Sequence, residues 1–118
     1  MKNLKLKQLA LSVVMASGLA GTAMAQGVTD DEVLIGSNQD MSGVFAAFGA
    51  PAVAAANMHF DKINAAGGVH GRKIKLVVED HAYQMPKAMQ GLNKLVNSDK
   101  IFAMFLQLGT PTNMAALT

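Results

Sequence analysis

Three short apolar runs, Val33-Leu34-Ile35, Ile74 to Val78 and Ile101 to Leu106, are separated by stretches in which apolar residues return every three or four positions. This alternation leaves few folds open. Strands that alternate with helices build a parallel sheet, because the chain must cross back to the same end before it can pair in the same direction. The sequence therefore predicts an α/β fold with β-α-β-α-β order.

The first strand starts at Glu32 and is expected to end at Gly36-Ser37. In the helix that follows, Val53, Ala56, Phe60 and Ile63 recur at spacings of three, four and three, which is one face of a helix. Proline inside a helix removes a hydrogen bond and clashes with the preceding turn, so the regular helix is expected to begin near Pro51, with residues 44 to 49 forming a separate turn. Gly67-Gly68 closes it, since glycine takes the left-handed cap geometry without penalty.

His70-Gly71 turns the chain into a second strand, Lys73 to Val78, which Glu79-Asp80 ends. A second helix is predicted from about Pro86, with Ala88, Leu92, Leu95 and Val96 as its buried face and Ser98-Asp99-Lys100 as the turn out. Ile101 to Leu106, apolar throughout, reads as a third strand covered on both faces. Thr110-Pro111 opens a further helix that reaches the last residue with no fourth strand after it, so the sequence reads as the truncated N-terminal part of a larger domain.

Residues 1 to 25 stand apart. Lys2, Lys5 and Lys7 precede an uncharged apolar run from Leu9 to Ala20, and Ala23-Met24-Ala25 supplies an A-x-A cleavage site before Gln26. About 20 apolar residues are needed to cross a bilayer, and this run is shorter and is broken by Ser12, Ser17 and Gly18. The segment is therefore expected to be a signal peptide cut between Ala25 and Gln26.

Its removal changes the charge balance. Three of the 10 basic residues and none of the 8 acidic ones lie in it, so residues 26 to 118 carry seven basic against eight acidic groups. That near-neutral balance gives no reason to expect a nucleic-acid partner. Cysteine is absent from the chain, which excludes disulfides, thiolate metal sites, a cysteine nucleophile and a lipid-attachment cysteine. The expected product is exported, soluble and not lipid-anchored. A segment of about 90 residues buries only about 60 to 65% of its unfolded surface, so residues 26 to 118 made alone are expected to fold poorly.

In open parallel sheets ligands bind outside the carboxyl ends of the strands. Three loops meet there: residues 38 to 48, 80 to 84 and 107 to 112. In the third, Thr110 reads as an N-cap hydroxyl before Pro111 at the first helical position, leaving the amides of Thr112 and Asn113 outward for a carboxylate. An ordinary helix cap without a ligand accounts for the same residues equally well. Ser42 adds a hydroxyl from the first loop, and Phe45, Phe48 and Tyr83 add apolar surface. Ordinary core packing also explains these aromatics, Phe45 most readily.

Enzyme signatures are weak. No G-x-G-x-x-G follows the first strand, and P-loop and G-x-S-x-G patterns are absent. His59, His70 and His81 are spaced eleven residues apart on a helix, a turn and a strand end, which is no metal-ligand spacing. No cofactor and no metal is expected, with Asp80-His81 the one pair to inspect.

The stretch "VLIGSNQDMSGVFAAFG", followed by "INAAGGVHGRKIKLVVED", "NKLVN" and "LGTPTN", resembles the N-terminal lobe of the periplasmic Leu/Ile/Val-binding proteins, the type I solute-binding proteins of ABC importers. The resemblance spans residues 32 to 118. It implies two α/β lobes closing over a solute, an amino acid or small carboxylate, and a membrane permease as partner. It assigns ligand contacts to the Leu108 backbone, Gly109, Thr110 and Thr112, and the first-loop aromatic to Phe48, which lacks a hydroxyl. Some members link the loops after the second and third strands by a disulfide; Tyr83 and Gln107 occupy those regions here. Serine-rich loops of leucine binders are replaced by Gly109-Thr110-Pro111-Thr112, which leaves the solute open. The same fold also serves as the extracellular module of receptors, and a secreted α/β enzyme using Asp80 or His81 is the remaining alternative.

Overall fold

A computed structural model of the chain describes residues 25–117. Three parallel strands, β1 (Glu32–Gln39), β2 (Lys73–Asp80) and β3 (Ala103–Met104), form one sheet in the order β2-β1-β3. Helix α1 (Ala46–Ala65) joins β1 to β2; α2 (Met85–Asn93) and a π-helical turn (Lys94–Ser98) join β2 to β3; α3 (Thr110–Ala116) follows. The predicted β-α-β-α-β order is observed. The predicted signal segment, apart from Ala25, lies outside the described residues.

The central strand is longer than its apolar run suggested. Pairing continues through Asn38↔Glu79 and Gln39↔Asp80, well past the expected end at Gly36-Ser37. Polar residues can continue a buried strand when their hydrogen bonds are met inside. Here Asn38 Nδ2 donates to the Ala88 carbonyl at 2.8 Å, and Gln39 Nε2 donates to Ser37 Oγ at 3.1 Å.

Helix α1 also corrects an expectation, because it runs unbroken through Pro51 instead of starting there. Pro51 is only the sixth helical residue, so the bond it forgoes is to the carbonyl of exposed Ala47. The earlier start is favoured by Gly49, which lies buried against Asp40 where any β-carbon would overlap the Asp40 carbonyl. The predicted stripe faces inward: Val53 is buried, and Ala56, Phe60 and Ile63 are half-buried.

The "INAAGGVHG" block has a mechanical reading. Asn64 donates to the Ile74 carbonyl at 2.8 Å and accepts the Ile74 amide at 2.7 Å, which bolts α1 to the edge strand β2. The Gly68 amide reaches back to the Ile63 carbonyl at 2.9 Å, the long return bond that ends a helix on glycine. His70 and Gly71, both at positive φ, make the two-residue turn between Val69 and Arg72.

Ala88 on α2 and Leu95 on the π-helical turn are buried and Leu92 is half-buried, but Val96 on that turn is 39% exposed. The inward position is taken by Gly91, packed against Asn38 and Glu79. The third strand departs furthest from expectation. Its ladder covers Ala103–Met104, although the Phe102 and Phe105 amides also bond to Leu34 and Gly36 carbonyls at 2.8 Å each. Phe102 and Leu106 are exposed, because β3 is an edge strand here and its outer part is uncovered among the described residues. Leu106 at φ 54 breaks the extended backbone.

Candidate functional site

The carboxyl ends of the strands carry a framework of buried polar groups. Asp40, fully buried at the end of β1, accepts the amides of Gly43 at 2.5 Å and Phe45 at 2.8 Å. These bonds wrap the loop around the carboxylate and set Phe45 at the entry of α1. Ser42 is turned outward from this loop, and its hydroxyl donates to Asp80 Oδ2 at 2.6 Å. Asp80 Oδ1 accepts the amides of Met41 and Ala82, each at 2.9 Å, so one carboxylate ties the first loop to the second. Desolvation, the largest single influence, pushes the Asp80 carboxyl up, but the Ser42 hydroxyl and the amides of Met41, Ala82 and Ser42 together outweigh it and hold the group below the usual carboxylate range.

The second loop is held in an uncommon backbone. Ala82 and Tyr83 sit in the left-handed region, with φ 47 and 55. Such residues persist when their surroundings over-determine them. His81 does much of this: fully buried, it donates its amide to the Gln39 carbonyl at 2.8 Å and accepts the Tyr83 amide on Nδ1 at 2.9 Å. With Nδ1 accepting, the ring proton is on Nε2, which donates to the Leu108 carbonyl at 3.0 Å.

The third loop begins at Leu108, whose amide reaches the Asn38 carbonyl at 3.3 Å. Gly109 follows at φ 108, a conformation that suits glycine alone. Gly109 is the N-cap of α3, and Thr110 and Pro111 are its first and second residues, one position later than the sequence reading had them. Thr110 therefore does not cap the helix through its hydroxyl. The Asn113 amide, expected to face outward, is bonded to the Gly109 carbonyl at 3.0 Å. Thr112 is buried, and its hydroxyl donates to the carbonyls of Leu108 and Gly109, each at 2.9 Å, so its proton is spent within the loop.

Between the loops lies a cavity of about 380 Å³ lined by Phe45, Phe48, Tyr83, Leu108, Gly109 and Thr110. The Phe45 and Tyr83 rings meet edge to face at 4.5 Å, and Phe48 lies 6.4 Å from Phe45. The arrangement offers an aromatic wall from two loops and backbone with one hydroxyl from the third, which suits a small molecule with an apolar part and a polar end. Of the residues singled out in the sequence, Phe48, Tyr83, Leu108, Gly109 and Thr110 come together here. Ser42 and Thr112 do not line the cavity; their hydroxyls serve Asp80 and the loop carbonyls.

Phe45, ranked below Phe48 and Tyr83 from the sequence, also lines the cavity, and the sequence reading gave no supporting task to Ser37, Asn38, Gln39 or Asp40 and named His81 only as half of a pair to inspect; all five are buried. The available signal was the polar run S-N-Q-D continuing an apolar strand toward its carboxyl end, where ligand sites of such sheets lie. Asn38 Oδ1 and Gln39 Oε1 are buried with no hydrogen-bond partner among the described residues. Asp80 and His81, inspected as a catalytic pair, spend their side-chain atoms on the loops.

The chain is similar to known proteins over most of its described length. A family model described as periplasmic binding protein matches residues 32–118. An amino acid binding protein of Pseudomonas aeruginosa is 39% identical over 95 residues, covering 80% of this chain and 24% of that one. The structure of a fatty acid ABC transporter substrate-binding protein from Thermomonospora curvata superimposes with a TM-score of 0.74 at 33% identity, covering 84% of this chain and 25% of that one. A branched-chain amino acid transporter substrate-binding protein from Streptococcus pneumoniae, in complex with isoleucine, gives 0.68 at 31% identity, covering 73% and 25%. The chain thus spans about a quarter of the length of these relatives, as part of one lobe of the type I fold. With a match that runs from the first strand to the end of the chain, this protein belongs to the periplasmic binding protein family.

Proposed function

We propose that the protein is the solute-binding component of an ABC importer, exported after cleavage between Ala25 and Gln26, and that it takes up an amino acid or related small carboxylate. The observation that carries this reading is the convergence of all three strand-end loops on one cavity of about 380 Å³. Phe45, Phe48 and Tyr83 hold the apolar part of the solute, and Thr110 with the backbone of Leu108 and Gly109 receives its polar end. No step of bond making or breaking is involved: binding favours the closed arrangement of two lobes by differential affinity, and the closed form is what a membrane permease engages. The names of the relatives, amino acid binding in one and branched-chain amino acid transport in another, support this solute class.

A longer-chain carboxylate is a second reading, favoured by the fatty acid transporter relative and by the aromatic wall, on which Phe48 is 68% exposed. Thermal unfolding of the full-length protein with leucine, isoleucine, valine or octanoate separates the two. A ligand at a hundred times its dissociation constant stabilises by about 2.7 kcal/mol, so a clear rise in Tm with one class identifies it. No rise with any of the four would overturn both.

A further inference from the structure

We infer that His81 is a positioning residue that sets the distance between the two walls of the cavity. Among the described residues its ring is the only side chain that bonds both loops: Nδ1 accepts the amide of Tyr83 at 2.9 Å and Nε2 donates to the carbonyl of Leu108 at 3.0 Å. Both partners line the cavity, Tyr83 from the second loop and Leu108 from the third, and His81 is not among its lining residues. The imidazole is rigid and fully buried, so the separation of its two nitrogens is transmitted to the loops without slack.

The two ends are independently braced. On the Tyr83 side, the His81 amide is fixed to the Gln39 carbonyl at 2.8 Å, and the left-handed backbone at Ala82 and Tyr83 leaves the Tyr83 amide pointing at the ring. On the Leu108 side, the same carbonyl also accepts the Thr112 hydroxyl at 2.9 Å, which holds its direction. A shorter bridge would press Tyr83 against Gly109, where the packing already leaves no room for a β-carbon, and a longer one would part them. The consequence for ligand choice rests on the binding reading above; the spacing itself does not.

The test exploits the geometry of the two amides. In His81→Asn the carboxamide oxygen stands near the place of Nδ1 and keeps the Tyr83 bond, but the side chain is too short for Leu108. In His81→Gln the terminal nitrogen stands near the place of Nε2 and keeps the Leu108 bond, with no acceptor for Tyr83. Residue-resolved hydrogen exchange and carbonyl-carbon NMR on the full-length protein, without ligand, then give a crossed pattern. Protection of the Tyr83 amide falls about tenfold in His81→Gln and is kept in His81→Asn, whereas the carbonyl-carbon shift of Leu108, whose oxygen accepts the Nε2 proton, moves in His81→Asn and is kept in His81→Gln. Equal changes at the Tyr83 amide and the Leu108 carbonyl in both variants, or none, would overturn the proposal, because lost packing alone moves them together. In the unaltered protein the ring nitrogen spectrum must show the proton on Nε2; a proton on Nδ1 would contradict the bridge without any variant. Octanoate and leucine titrations of the same proteins complete the test, with the ratio of their affinities shifted in both variants. Absence of binding by either ligand would sink the solute reading and leave the exchange pattern to judge the bridge.

Discussion

Gly109 sits against Tyr83 so closely that a β-carbon on it would lie 3.0 Å from Tyr83 Cε2, and 2.7 Å from Thr112 Oγ1. With φ 108 as well, the position is closed to other residues on two independent grounds. Gly109→Ala is expected to cost about 1 to 3 kcal/mol from backbone strain, and to displace Tyr83 from the cavity. Denaturant unfolding of the full-length protein measures the first effect and ligand titration the second. An alanine variant with unchanged stability and binding would contradict the placement.

Asp80 gives the site an acid limit. Its folded pKa lies below the ordinary value for an aspartate, so the tie between the first two loops is at full strength above about pH 4. The sign follows from linkage: a depressed carboxyl contributes stability that is lost as pH falls through the folded value. Asp80→Asn should flatten that part of the stability profile. Ser42→Ala, which removes the 2.6 Å donor, should raise the Asp80 pKa in a carboxyl-carbon NMR titration. A lower or unchanged value would contradict the assignment.

Thr112 is assigned a structural task. Its hydroxyl donates to two carbonyls in the turn before α3. Thr112→Val is therefore expected to cost about 1 kcal/mol, and Thr112→Ser to recover most of it. A loss in Thr112→Ser with none in Thr112→Val would point to the methyl group instead.

Asn64 offers a check on the scaffold. Its two hydrogen bonds satisfy the outward amide and carbonyl of Ile74 on the edge strand β2. Asn64→Ala should cost about 1 to 3 kcal/mol in denaturant unfolding, with the loss of exchange protection centred on Ile74. Protection that falls elsewhere first would contradict the role.

How far the sequence reached follows from where periodicity decides structure. The stripe through Val53, Ala56 and Phe60 and the alternation from Lys73 to Leu76 were legible because burial enforces them. The end of β1 was hidden because Ser37 to Gln39 are polar and yet buried, paid for by hydrogen bonds that no local pattern announces. Pro51 misled because its cost depends on its position within the helix. The one-residue displacement at Thr110 came from Gly109, whose positive φ lets it take the cap position without a side chain. The strand-end rule picked out the three loops, and the family resemblance picked out Leu108 and Gly109 within the third; Asp40 stayed hidden because its task is to hold backbone amides of its own loop, and His81 because it acts through Leu108, distant in sequence.

The central claim, that the three loops form a solute site, is tested most directly by titration calorimetry. The full-length protein and its Phe48→Ala variant are titrated with leucine, isoleucine, valine and octanoate. The predicted result is saturable one-to-one binding of at least one of these ligands, weakened by about tenfold or more when the exposed Phe48 ring is removed. Binding that is indifferent to Phe48, or no binding across the four ligands, would contradict it.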